Sequence, residues 1–235
     1  MKISKIFFDT EFTGLQQNTS LISIGLVDYE TGKKFYGIFN DYNREQVSDW
    51  IQMNVISPIE KDISYFNFVP ELRYKRAFPS EKLIVSYGDS NYNRMNINIW
   101  LSNILAENCA NKIQFISDVS HYDFMLLVQL LSCSDYAAGL NLPSYISPTC
   151  HDINQDLAKF IGKTDVEAFD ISREEFIDKY GECSKLVHEY FDKSSVISRK
   201  MHNSLFDALN ISIIYDIIES YNCKCSGRCL RKDDN

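Results

Sequence analysis

The sequence predicts an α/β domain, a mixed sheet flanked by helices, and three observations predict it. Three strand-like apolar runs follow one another within the first 40 residues, with a turn signal between the second and third. A fourth run, "KIQFISDV" at 112–119, is separated from them by helical sequence. A long helical pattern from about Ser204 to Tyr221 closes the domain.

Each element has its own signal. Residues 3–9 read as a buried strand running into "DTEF". "SLISIGLVDY" (20–29) and "KKFYGIFN" (33–40) are the second and third strands, and "ETG" between them is a hairpin turn, so the chain starts as an antiparallel meander. Val47, Trp50, Ile51 and Val55 recur at helical spacing over 44–56. Pro58, Pro70 and Pro79 break any long element over 57–92, which reads as an insertion. Within it "RYKRAF" (73–78) mixes basic and aromatic residues, as single-strand binders do, although a solvated connection is the ordinary reading.

Helices are expected at 92–108 and 123–131, at 151–162 with Gly162 as terminator, and at 172–181 between Ser172 and Gly181. The stretch 133–198 reads as a second insertion. Phe206, Leu209, Ile213, Ile217 and Tyr221 form one stripe of the last helix. The domain is therefore expected over 1–221, with a tail at 222–235.

Composition narrows the function classes. With 45% hydrophobic and 24% charged residues the chain is globular rather than disordered. No apolar run has the roughly 18 residues of a membrane span, and acids follow "MKISKIFF" too soon for a signal peptide. A soluble, cytoplasmic protein without membrane contact is expected. The net charge of −8 argues against gripping nucleic acid through a basic surface, but not against acting on it. Cys109, Cys133, Cys150 and Cys183 read as reduced, mostly buried thiols. Cys223, Cys225 and Cys229 have C-x-C-x3-C spacing, but no fourth zinc ligand lies nearby and the paired C-x2-C spacing is absent, so an ordinary tail is expected.

The chemistry starts at "IFFDTEFTGL" (6–15). Strand side chains alternate, so Asp9 and Glu11 share a face. Two like charges there raise each other's cost of ionisation, and something positive should lie between them. Two later stretches offer partners. Asp123 follows Tyr122 and begins a helix after the fourth strand, with Asp118 at the strand's end as competitor. A helix-start aspartate often only caps. In "KMHNSLFDALNI" His202 precedes Asp207 by five residues, roughly 500° on a helix, so the pair cannot share a helical face. The histidine instead suits the preceding loop, with Asn203 or Ser204 as cap and Ala208 allowing close approach of helix to strand. His151 and Asp156 repeat the H-x4-D spacing, but their helix is short and ends at Gly162, so His151 is expected beside a helix cap.

D-x-E, then Y-D, then H-x4-D, in this order, resembles the histidine-containing (DEDDh) branch of the DEDD superfamily of 3′→5′ exonucleases. "DTEF", "LISIGLV" and the following "WIQMNVI" are similar to small exoribonucleases of the ribonuclease AS type and their phage relatives. The resemblance covers about 1–56, 112–131 and 200–221. It implies a ribonuclease H-like fold with a central mixed five-stranded sheet, the first strand central and the fourth parallel to it. It implies Asp9, Glu11, Asp123 and Asp207 as ligands of two Mg²⁺ or Mn²⁺ ions and His202 as general base. The expected reaction is release of nucleoside 5′-monophosphates from the 3′ end of single-stranded RNA, with DNA, or a catalytically silent binding module, as alternatives. Close relatives dimerise, so the resemblance leaves a homodimer open, with nothing in the sequence that demonstrates one. Thr10, Phe12, Gly14 and Leu15 would meet the last nucleotide. Thr10 and Phe12 do so through backbone N–H groups, their side chains pointing away, Gly14 by close backbone approach and Leu15 as a wedge against the base.

Overall fold

The computed structural model describes residues 1–66, 75–132, 142–184, 186 and 201–225. Seven strands form one mixed sheet: β1 (Ile3–Phe12), β2 (Leu21–Asp28), β3 (Lys34–Phe39), β4 (Lys75–Ser80), β5 (Leu83–Gly88), β6 (Lys112–Ser117) and β7 (Ile146–Asp152). Their order is β4-β5-β3-β2-β1-β6-β7. β1, β2 and β3 form the expected antiparallel meander, and β6 pairs parallel to β1. The architecture is α/β and compatible with the ribonuclease H-like arrangement.

The sheet has seven strands rather than five. β5 lies inside the supposed proline-broken insertion and pairs parallel to β3; Val85, Ser86 and Tyr87 on it are buried. Two of the prolines do not interrupt it: Pro58 opens a helix directly after a π-helical turn, and Pro79 is on the edge strand β4; Pro70 lies outside the described residues. Lys75–Phe78 of the basic-aromatic run belong to β4; Arg73 and Tyr74 lie outside the described residues. β7 was hidden because Ser147, Pro148, Thr149 and His151 give an edge strand no apolar alternation.

The helices are α1 (Asp49–Ile51), which runs through a π-helical turn (Gln52–Ile56) into α2 (Ser57–Tyr65), then α3 (Ser90–Glu107), α4 (His121–Leu131), α5 (Ile153–Ile161), α6 (Asp165–Phe169), α7 (Arg173–Tyr180) and α8 (Ser204–Cys225). The alternation of β1 feeds two cores. Ile6 and Phe8 face α3 and α4, whereas Phe7 faces α8, α5 and α7. Lys5, Asp9 and Glu11 have the parity of Phe7 and so belong to the α8 face.

α8 is not a one-stripe helix. Leu205, Ala208, Ile211, Ile213, Ile214, Ile217 and Ile218 are all buried, because the sheet covers one side and α5 and α7 the other. It runs four residues past Tyr221, through Cys225; Cys229 and Cys133 lie outside the described residues. Cys109 and Cys150 are free thiols, and Cys109 is exposed rather than buried. Among the described residues no helix is long and apolar enough to cross a membrane.

Candidate metal centre and active site

β1 carries Asp9 and Glu11 within the strand, not beyond it, paired with Gly25 and Ser23 of β2. The third acid arrives on α8, and Gly25 explains how. An alanine Cβ there would lie 2.3 Å from Leu205 Cα and from the Ser204 carbonyl oxygen. The first turn of α8 therefore rests on bare strand backbone, directly across from Asp9. Three contacts pin that turn. Ser204 Oγ lies 2.9 Å from Ser23 Oγ. Asn203 accepts the Phe206 N–H at 3.2 Å, which makes it the helix cap, and its Nδ2 donates to buried Asp62 at 3.0 Å and to the Tyr36 hydroxyl at 3.3 Å.

Carboxylate oxygens of Asp9, Glu11 and Asp207 consequently lie within 4.8 Å of one another. Burial, followed by the charges of Asp123, Asp207 and Glu11, holds the Asp9 carboxyl well above the usual range, and Glu11 is raised by burial and by Asp207 and Asp123. Burial pushes Asp207 up to about 7, against the pull of the His202 N–H, which donates to its Oδ2 at 2.9 Å. Three acids within 4.8 Å of one another, each costly to ionise, form an all-oxygen set suited to a hard cation.

Asp123 stands beside this triad. β6 pairs with β1 only as far as Phe7↔Ile116. Further along, Thr10 donates its N–H to Asp123 Oδ1 at 3.1 Å, and its hydroxyl donates to the same oxygen. Burial raises Asp123 to about 6 in spite of these bonds. It is not a helix cap: its carboxylate reaches across to β1. The N–H of Thr10 is thus engaged and not open to a ligand, contrary to the sequence expectation. Phe12 also departs from expectation. The β1–β2 register shifts between Glu11 and Phe12, which turns the Phe12 ring into the same cavity as the acids, stacked on Tyr122 with centroids 6.2 Å apart.

Asp118, the competitor, is occupied. Arg173 grips it with Nε to Oδ2 at 2.6 Å and Nη2 to Oδ1 at 2.9 Å. Arg173 is the only lysine or arginine lining the cavity among the described residues, so its charge is already matched. Next to Asp118, Val119 has φ +53°, a strained value for a β-branched residue. Asp152 steadies that turn by accepting the N–H groups of Val119 and Ser120 at 3.3 and 3.1 Å. Sequence reasoning passed over Gly25, Asp62, Asp152 and Arg173. Only Gly25 left a signal, a glycine inside an otherwise apolar strand.

His202 lines the same cavity in the loop before α8, at φ +67°, its ring edge-on to Trp50 with centroids 4.8 Å apart. Burial lowers its pKa, so the imidazole is neutral at neutral pH. Trp50 itself is half exposed and not on the core-facing stripe, because the π-helical turn after it shifts the helical register by a residue. The cavity measures about 670 Å³ and has apolar walls from Phe12, Tyr122, Phe169, Ile171, Met201 and Ile211. Gly14 and Leu15 do not line it, and Leu15 is 72% exposed.

The second H-x4-D pair lies elsewhere. His151 lies near the end of β7, beside Asp152, which caps α5 as expected, and its Nε2 is 2.5 Å from Asp156 Oδ2 in a separate cavity shared with Lys5 and Tyr215. Compared with known proteins, the chain matches no family model and no curated protein.

Proposed function

We propose that the protein is a metal-dependent 3′→5′ exonuclease acting on single-stranded nucleic acid, RNA ahead of DNA. The observation that carries the reading is the convergence of Asp9, Glu11 and Asp207 within 4.8 Å, in a cavity that Asp123 and His202 also line. The motif order D-x-E, Y-D, H-x4-D supports it independently, as does the preference for RNA among the small exoribonucleases that the sequence resembles.

Asp9, Glu11 and Asp207, with Asp123 beside them, would hold two hard divalent cations, Mg²⁺ or Mn²⁺. When bound, such cations supply Lewis-acid activation of water and neutralise charge on a phosphodiester. The protein's own groups do the rest. His202, with its pKa lowered by burial, accepts the proton of the attacking water on a ring nitrogen, and the imidazolium releases it to solvent. The Thr10 bonds keep Asp123 aimed at the site. The Phe12–Tyr122 pair offers a flat apolar surface to a terminal base. A carboxylate-lined cavity repels a bare phosphate chain, so cations held by the acids would be needed before the substrate could settle there.

The test is incubation of the purified protein with 5′-end-labelled RNA and DNA oligonucleotides in Mg²⁺ or Mn²⁺. Stepwise shortening from the 3′ end is expected, with RNA consumed faster, and EDTA or Asp9→Ala should abolish it. Higher kcat/KM on DNA would move the substrate assignment. Binding without hydrolysis under either ion would make this a silent module.

A further inference from the structure

Asn210 stands three residues after Asp207 on α8, so the two side chains leave the same face of the helix. It is 4% exposed and lines the carboxylate cavity, yet its Oδ1 has no hydrogen-bond partner among the described residues. Buried side-chain amides are nearly always satisfied, so an orphaned acceptor on a residue that lines a cavity, which a turn of the terminal amide would present to that cavity, marks a place where a ligand completes the bonding. The other orphan among the described residues, Asn93 Oδ1, differs. Its own Nδ2 already donates to the Ile38 and Gly88 carbonyls, and it does not line this cavity.

We propose that Asn210 reads a hydrogen-bond donor on the terminal nucleotide, either the ribose 2′-hydroxyl or an amino or imino group on the base edge. The proposal rests on the nuclease reading and adds the residue that selects the nucleotide. The chemistry follows from what surrounds the amide. Asp118 is matched by Arg173 and Asp123 by Thr10, while Asp9, Glu11 and Asp207 form the cation set. Glu174 also lines the cavity as a charged acceptor, and Asn210 Oδ1 is the neutral amide acceptor beside these acids. Phe169, Ile171 and Ile211 share the cavity wall with it, and such apolar walls suit a sugar or base better than a hydrated ion. An amide acceptor in that setting asks for an uncharged O–H or N–H.

The experiment compares wild type and Asn210→Leu on a single-stranded oligoribonucleotide carrying each of the four bases at its 3′ end. The same oligomers with one 2′-deoxynucleotide at that end form the second arm. Leucine keeps the branched skeleton with bulkier methyl ends and removes the orphaned acceptor, so the relief of an unsatisfied polar group offsets the added bulk and Tm should stay within a few degrees. The kcat/KM on the preferred terminus should fall by about tenfold or more, as for a lost substrate hydrogen bond. If the 2′-hydroxyl is read, wild type favours the ribose terminus and Asn210→Leu erases that preference. If the base is read, wild type discriminates among bases and the variant does not. Asn210→Ala, which opens space instead of filling it, should lose the same preference and guards against a packing artefact. Wild-type activity with Asn210→Leu within twofold on every oligomer would overturn this proposal and leave the nuclease reading standing. No hydrolysis by wild type would remove both.

Discussion

Gly25→Ala tests how the site is assembled. The added Cβ would lie 2.3 Å from Leu205 Cα and the Ser204 carbonyl oxygen, and 2.4 Å from Leu205 N, against an ordinary contact of at least 3.4 Å. All three neighbours are backbone, so no side chain can swing aside, and the first turn of α8 must retreat by roughly 1 Å. Overpacking of this kind costs about 1–3 kcal/mol, and a backbone clash belongs at the upper end. At about 2–4 °C per kcal/mol for a chain of this length, Tm should fall by roughly 10 °C. Asp207 and His202 ride on that turn and its preceding loop, so the acids separate. Misplacement by about 1 Å can cost about 100-fold in turnover. The assay pairs thermal unfolding in EDTA with calorimetric titration of Mn²⁺, which reads the acid set without relying on activity. Gly162→Ala is the control. Unlike Gly25 it has positive φ, +69°, but its Cβ would meet nothing within 4 Å, and it ends α5 away from the acids. It should lose about 1–2 kcal/mol and keep its Mn²⁺ affinity. Wild-type Tm and wild-type Mn²⁺ affinity in Gly25→Ala would refute the reasoning.

Two further outcomes are expected. In EDTA the protein should be most stable at mildly acidic pH. Asp207 at about 7 and Asp123 at about 6 bind protons in the folded state that the unfolded chain, with carboxylates near 3.8, has released. Stability therefore falls as pH rises from about 4 through 7. Tm measured at pH 5.5 and 8 should show this drop, Asp207→Asn should shrink it, and saturating Mn²⁺ should offset it. A Tm that rises with pH in EDTA in both proteins would contradict the raised acids. The two histidines should also separate. His202→Ala is expected to lower kcat by about 10²–10⁴ and to remove the acidic limb of the pH–rate profile while Mn²⁺ still binds. His151→Ala should leave kcat within a few-fold, since its ring is bonded to Asp156 in another cavity. The reverse result would reassign the base.

The meander, the fourth strand and the closing helix were legible because each is a local pattern: apolar alternation, a turn signal, a helical period; the parallel pairing of that strand came only from the family resemblance. Asp9 and Glu11 were legible for the same reason, since strand parity puts them on one face whatever the rest of the chain does. The sequence by itself also determined that His202 must sit off the helix that carries Asp207, because five residues cannot share a helical face. Tertiary structure alone decided the rest. β5 and β7 are strands because β3 and β6 offer them hydrogen-bonding edges, and their own residues announce this only weakly. The register shift after Glu11 turned Phe12 toward the acids, and the end of β6 pairing left the Thr10 N–H to hold Asp123. Asp118 was excluded by Arg173, 55 residues away in sequence. The acid triad closes because Gly25 lets α8 touch strand backbone, a contact between residues 180 positions apart that no local period encodes. Spacing along a chain sets which side chains share a face; the distance between two faces is set by what packs between them.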